Sequence, residues 1–161
     1  MSFNLRPHGM SAAESLKQNL QQVFALPDSA VDWLMMLWGA IQLFDDVADG
    51  DDVDRRNLNA AIWNTLVAMP QNQFFQNNSA VLSPLMGAAI LKWQASDTAE
   101  RNGSADEKSF MWRAGYYDLV LMAVQLCHGA DAAAQNAHHV MALYGESFED
   151  YLKEFENAGS S

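Results

Sequence analysis

A chain of 161 residues, half of them hydrophobic and including five Trp and nine Met, fits one domain able to bury a core without disulfides. Its formal charge of −11 leaves nine Lys and Arg, too few to neutralise a run of phosphates, which argues against direct nucleic-acid binding. The single cysteine, Cys127, excludes an internal disulfide and a Cys-rich zinc site, and its setting in VLMAVQLCHG predicts a buried, inert thiol.

The opening MSFNLRPHGM reads as an irregular arm over residues 1–10, without the continuous apolar stretch of a secretory signal. A single helical domain is expected over 11–157. Its first helix starts at Ser11, with Glu14 in capping-box spacing, and repeats apolar positions at Leu16, Leu20, Val23 and Phe24. Pro27 and Asp28 break the chain. A second helix, about 29–49, is apolar on nearly every side and should be central, with Gly50 as its C′ residue. Its core, VDWLMMLWGAIQLF, is too short to span a bilayer, so a soluble, cytoplasmic protein is the expectation.

A third helix covers about 53–69, ending before Pro70. QNQFFQNNS reads as a polar connection with two Phe anchors. Ser83 and Pro84 look like an N-cap and first helical position for a fourth helix reaching about Arg101. Ser104 with Glu107 gives another capping box, opening a fifth helix that runs to Leu126 or Cys127. A last helix occupies about 132–157, with Gly145 as a kink point. No strand alternation and no internal repeat is visible, so the fold class is all-α, a bundle of about six helices.

The densest chemical signal is LFDDVADGDDVDRR, with six aspartates between positions 45 and 54 followed by Arg55 and Arg56. On a helix, Asp45 and Asp49 are i, i+4 neighbours and Asp46 and Asp49 are i, i+3 neighbours, with Gln42 one turn earlier. Their like charges repel in a last turn where the helix dipole is already negative. A hard cation such as Mg²⁺ would compensate, as would Arg55 and Arg56 folding back. An EF-hand is excluded, because no placement on Asp45 or Asp49 gives the Asp/Asn alternation, the Gly at loop position 6 and the Glu at position 12 together.

LFDDVADGDDVDRR resembles the first aspartate-rich motif of type I isoprenoid synthases, the trans-prenyltransferase and terpene-synthase superfamily. The resemblance implies Asp45, Asp46 and Asp49 as Mg²⁺ ligands and Arg55 and Arg56 as contacts to a substrate diphosphate. Such a site also needs a facing carboxylate group, and the sequence has no second DDxxD. The nearest substitutes are Asp97, Glu100, Asp118, Glu146, Glu149 and Asp150, with Asp97 and Glu100 sharing a helix face with Trp93. A second resemblance is that of AGYYDLVLMAVQL to the second motif of all-α nucleotide pyrophosphohydrolases, the MazG and dimeric dUTPase group. It implies Asp118 as a ligand, with Asp46, Asp49, Asp97 and Glu100 as partners, although Gly115 stands where that family has a glutamate. Both imply a Mg²⁺-held diphosphate.

Among the remaining residues, His138 and His139 are adjacent and so point to different sides of a helix, which makes no paired zinc site. His128, before Gly129, is placed to interact with a helix end. Tyr116, Tyr117, Tyr144, Phe148, Tyr151 and Phe155 are spaced as core aromatics. The alternative from another class is a non-enzymatic acidic helical protein, meeting a basic protein partner or a second copy of itself. A carboxylate group facing Asp45, Asp46 and Asp49 across a pocket separates the two, since a diphosphate enzyme requires one.

Overall fold

A computed structural model describes residues 10–159, with side chains to Phe155; the irregular arm expected over 1–10 lies, but for Met10, outside the described residues. Among these every regular element is a helix, and there is no strand. Helix α1 (Ala12–Gln18) starts where expected, with the Ser11 hydroxyl accepting from Glu14 N at 3.1 Å, and it continues into a π turn, Asn19–Val23. Helix α2 (Asp28–Ala48) ends at Gly50, whose φ of +77° is the left-handed value that glycine takes without strain. Its residues Ala30, Val31, Trp33, Leu34, Ala40 and Leu43 are buried, so this is the central helix that its composition indicates.

Helix α3 (Arg55–Trp63) is capped by Asp54, whose carboxylate accepts from Arg56 N at 3.1 Å. It passes through a second π turn (Asn64–Ala68) into the short α4 (Met69–Gln71), so the helical path does not stop before Pro70. Helix α5 (Gln73–Arg101) begins about ten residues earlier than Ser83 and Pro84 suggest. Asn72 caps it by accepting from Phe75 N at 3.0 Å, and Phe74 and Phe75 pack on Trp33 with ring centroids 6.2 and 5.6 Å away. Burial of these two rings overrides the polar composition of QNQFFQNNS. The local weakness survives as a kink at Asn78, whose φ and ψ are −130° and 16°.

The expected fifth and sixth helices are each divided. Helix α6 (Glu107–Trp112) is capped by Asp106 and Ser109 reciprocally, rather than by Ser104 and Glu107. A break at Arg113 and Ala114 separates it from α7 (Gly115–His128). Helix α8 (Ala130–Met141) stops well before Gly145, and residues 142–147 form a connection to α9 (Phe148–Gly159). The core joins α1, α2, α5, α7 and α8 around Leu20, Trp33, Leu34, Leu82, Leu119, Val120, Val124 and Val140. His128 holds α7 to the end of the first π turn, its Nε2 lying 3.0 Å from Phe24 O. Cys127 is half-buried and its thiol is pushed up by desolvation, in line with an unreactive side chain.

The start of α7 meets α5 at close range. A Cβ built on Gly115 would stand 2.8 Å from the Ala89 Cβ, so glycine is required by the approach of the two helices. Gly115→Ala should therefore cost about 1–3 kcal/mol through overpacking. Urea unfolding of the Gly115→Ala variant against wild type checks this.

Candidate functional site

Between α2, the α3–α4 segment, α5 and the start of α7 lies a cavity of about 430 Å³. One stripe of α2, Trp33, Leu37, Ile41 and Asp45, runs along its wall at i, i+4 spacing. Met86, Ala89, Ile90 and Trp93 of α5 face it, Tyr116 and Leu119 of α7 close it behind, and Thr65 and Met69 complete it. Thr65 lies in the second π turn, its hydroxyl donating to Ala61 O at 2.7 Å. Tyr116 fixes the back wall: its hydroxyl donates to Leu34 O at 3.0 Å, tying α7 to α2 through a fully buried bond.

The polar end of the cavity is made by Arg113. Its side chain is 10% exposed and its guanidinium lies among three carboxylates. Nη2 is 3.6 Å from Asp45 Oδ1, Nε is 3.7 Å from Glu100 Oε2, and Nη1 is 3.6 Å from Glu146 Oε1. The group also stands over the Tyr151 ring, 5.3 Å from its centroid. Burial alone would lower the Arg113 pKa, but Glu146, Glu100 and Asp45 outweigh it and hold the charge more firmly. The carboxylates are positioned in turn. Glu100 Oε2 accepts from Tyr151 Oη at 3.0 Å and lies 2.8 Å from the buried Ser96 hydroxyl, and Glu146 Oε2 accepts from Tyr144 Oη at 2.9 Å. Three anions against one cation leave this corner negative.

Beside Arg113 a smaller annex of about 60 Å³ is lined by Gln42, Trp38, Trp93, Tyr117, Tyr144 and Glu146, and it shares Ile41, Asp45, Trp93, Arg113 and Tyr116 with the main cavity. Three buried side-chain polar atoms among the described residues have no hydrogen-bond partner: Trp33 Nε1, Arg113 Nη1 and Glu146 Oε1. Every one belongs to a residue lining the main cavity or its annex.

The residues singled out in the sequence are distributed unevenly around this site. Asp45 is in it, Asp46 and Asp49 lie on the exposed turn beyond, and the Asp49 carboxyl is pushed up to about 6 by desolvation and by Asp45. Arg55 and Arg56 are exposed at the start of α3, and neither forms an ion pair with a described residue. Of the second carboxylate group, Glu100 reaches the Arg113 corner, whereas Asp97 pairs with Arg101 at 3.0 Å and Asp118 with Lys92 at 2.7 Å. Glu146 joins the corner, and Glu149 and Asp150 are exposed. Among the described residues, no three His, Cys, Asp or Glu side chains are placed to hold a metal ion. Arg113 escaped the sequence reading, although a lone charge in SFMWRAGYY was the available signal.

No family model, curated protein or solved structure matches the chain. No helix among the described residues is long and apolar enough to cross a membrane.

Two predictions follow from the buried charges. Arg113→Met removes the one cation among three largely buried carboxylates and should cost about 3–5 kcal/mol at neutral pH, read by urea unfolding of the variant against wild type. Burial and Glu146 push Tyr117 up to about 12, and burial raises Tyr116 and Tyr144 in the same direction. A raised folded-state value means that the unfolded chain releases its phenolic protons first, from about pH 10. The tyrosine contribution to stability should be level below that pH and fall between 10 and 12, with tyrosinate absorbance and loss of helical circular dichroism rising together.

Proposed function

We propose that the protein binds a small, largely apolar molecule inside the bundle, its body in the cavity between α2, α5 and α7 and its polar end toward Arg113. The observation that carries this reading is the pairing of a cavity of about 430 Å³ with buried polar atoms that lack partners and belong to its lining. The space opens to the surface beside the exposed Phe44 and Ile90, and its size falls in the range of small-molecule sites. Such sites are walled by apolar and aromatic side chains with a few polar groups that set orientation, and the lining here has that character. Unsatisfied buried donors and acceptors cost stability unless something pairs them.

A Mg²⁺-held diphosphate at Asp45, Asp46 and Asp49 is the second reading, supported by Asp45 standing where the acidic turn meets the cavity. An apolar tail could then run inward from a metal-bound head. Arg55 and Arg56 would contact that diphosphate from the start of α3. Against it stands the Arg113 guanidinium, which already faces the Asp45 carboxylate. A protein partner or second copy has a separate candidate surface in Leu58, Ile62, Trp63 and Leu66, all exposed on the α3 side.

Calorimetry and tryptophan fluorescence separate these. Decanol should bind wild-type protein without metal, and Leu37→Trp, which fills the cavity from the α2 wall, should weaken it at least about tenfold. If pyrophosphate binds only with Mg²⁺ and Asp45→Asn/Asp49→Asn abolishes that binding, the diphosphate reading replaces this one. If neither probe binds and the mass in solution rises with concentration, the exposed α3 surface becomes the site of interest.

A further inference from the structure

The annex says more about the ligand than the cavity does, provided the cavity reading above holds. Arg113 Nη1 is a buried donor without an acceptor and Glu146 Oε1 a buried acceptor without a donor, and the two stand 3.6 Å apart. That separation is too long for a direct hydrogen bond and short enough for one oxygen to bridge the two, once the side chains part enough to admit it. Both side chains are nine-tenths or more buried and both line the annex. Of their other polar atoms, Glu146 Oε2 accepts from Tyr144, while Arg113 Nη2 and Nε face Asp45 and Glu100 as ion pairs at 3.6 and 3.7 Å.

We infer that the annex selects a neutral hydroxyl head, so that the ligand is an apolar alcohol whose O–H donates to Glu146 Oε1 while its oxygen accepts from Arg113 Nη1. The alternatives are separated by charge and by hydrogen-bond capacity. A carboxylate or phosphate could accept from Arg113 but would enter a corner where three carboxylates already outnumber one guanidinium, and it has no proton to give Glu146. An alkylammonium could donate to Glu146 but has no lone pair for Arg113, and its charge would lie beside the guanidinium. An ether accepts and cannot donate. A neutral group that does both satisfies the two atoms together, and in about 60 Å³ a hydroxyl does so with one atom where an amide needs two.

The test uses four probes sharing one ten-carbon chain on the full protein, by calorimetry at neutral pH: decanol, its methyl ether, decanoate and decylammonium. Decanol is expected to bind tightest, roughly tenfold over the ether, which keeps one hydrogen bond and loses the other. Decanoate is expected to be weakest, and Glu146→Gln to narrow the gap between decanol and decanoate by removing one negative charge. Equal binding of decanol and the ether, or tighter binding of decanoate or decylammonium, overturns the hydroxyl inference while leaving a cavity that takes apolar chains. Failure of all four to bind overturns the cavity reading itself and the inference with it.

Discussion

One guanidinium joins parts of the chain that lie far apart in sequence. Arg113 caps the end of α6, and its three partners are Asp45 in the last turn of α2, Glu100 in the last turn of α5 and Glu146 in the connection before α9. The C-terminal ends of helices carry partial negative charge, so three helix ends and three carboxylates bear on the same cation. Each carboxylate alone would be costly at its degree of burial, and so would the guanidinium. The four are tolerable only together, which makes the cluster a device for fixing position. Its ion pairs, at 3.6 to 3.7 Å, leave hydrogen-bonding capacity unspent.

The break that frees Arg113 to turn inward is enforced two residues later. Gly115 lets the start of α7 approach Ala89 of α5, and Tyr116 then bonds to Leu34 of α2. A side chain on residue 115 would push α7 away, lengthen the Tyr116 bond and draw Arg113 from its partners. The same approach shapes the cavity: Ala89, Gly115 and Tyr116 all line it. Backbone geometry, charge placement and cavity shape are thus consequences of one four-residue segment, Arg113 to Tyr116.

How much of this was legible in the sequence depends on whether local or distant forces decide. The central position of α2 and its end at Gly50 follow from composition and the left-handed preference of glycine, and both are seen. The start of α5 was missed because Phe74 and Phe75 gain more from Trp33 than their polar neighbours lose, a contact across more than 40 residues of chain. The division of the last two expected helices was missed for a related reason: Ala114 carries no breaking signal, and the six residues from 142 to 147 leave helix to place Tyr144 and Glu146. In the site, Asp45, Glu100 and Trp93 were already marked, but as parts of carboxylate motifs. What organises them is a lone arginine whose neutralisation is spread over three distant segments, and no local pattern encodes that.

The conspicuous aspartate run and the cavity therefore have different physical origins. Most of the run is solvated: Asp46, Asp49, Asp51, Asp52 and Asp54 are exposed, and Asp54 serves as a helix cap. Asp45 is the exception, turned inward by one helical position, and it is the sole member of the run that touches both the cavity and Arg113. Its exposed neighbours contribute long-range negative potential, weakened by water and salt beyond about one Debye length. The buried trio around Arg113 contributes at short range, where solvent screens little. Both fields oppose an anionic head arriving without a cation, so charge and hydrogen-bond geometry at this site favour the same kind of ligand.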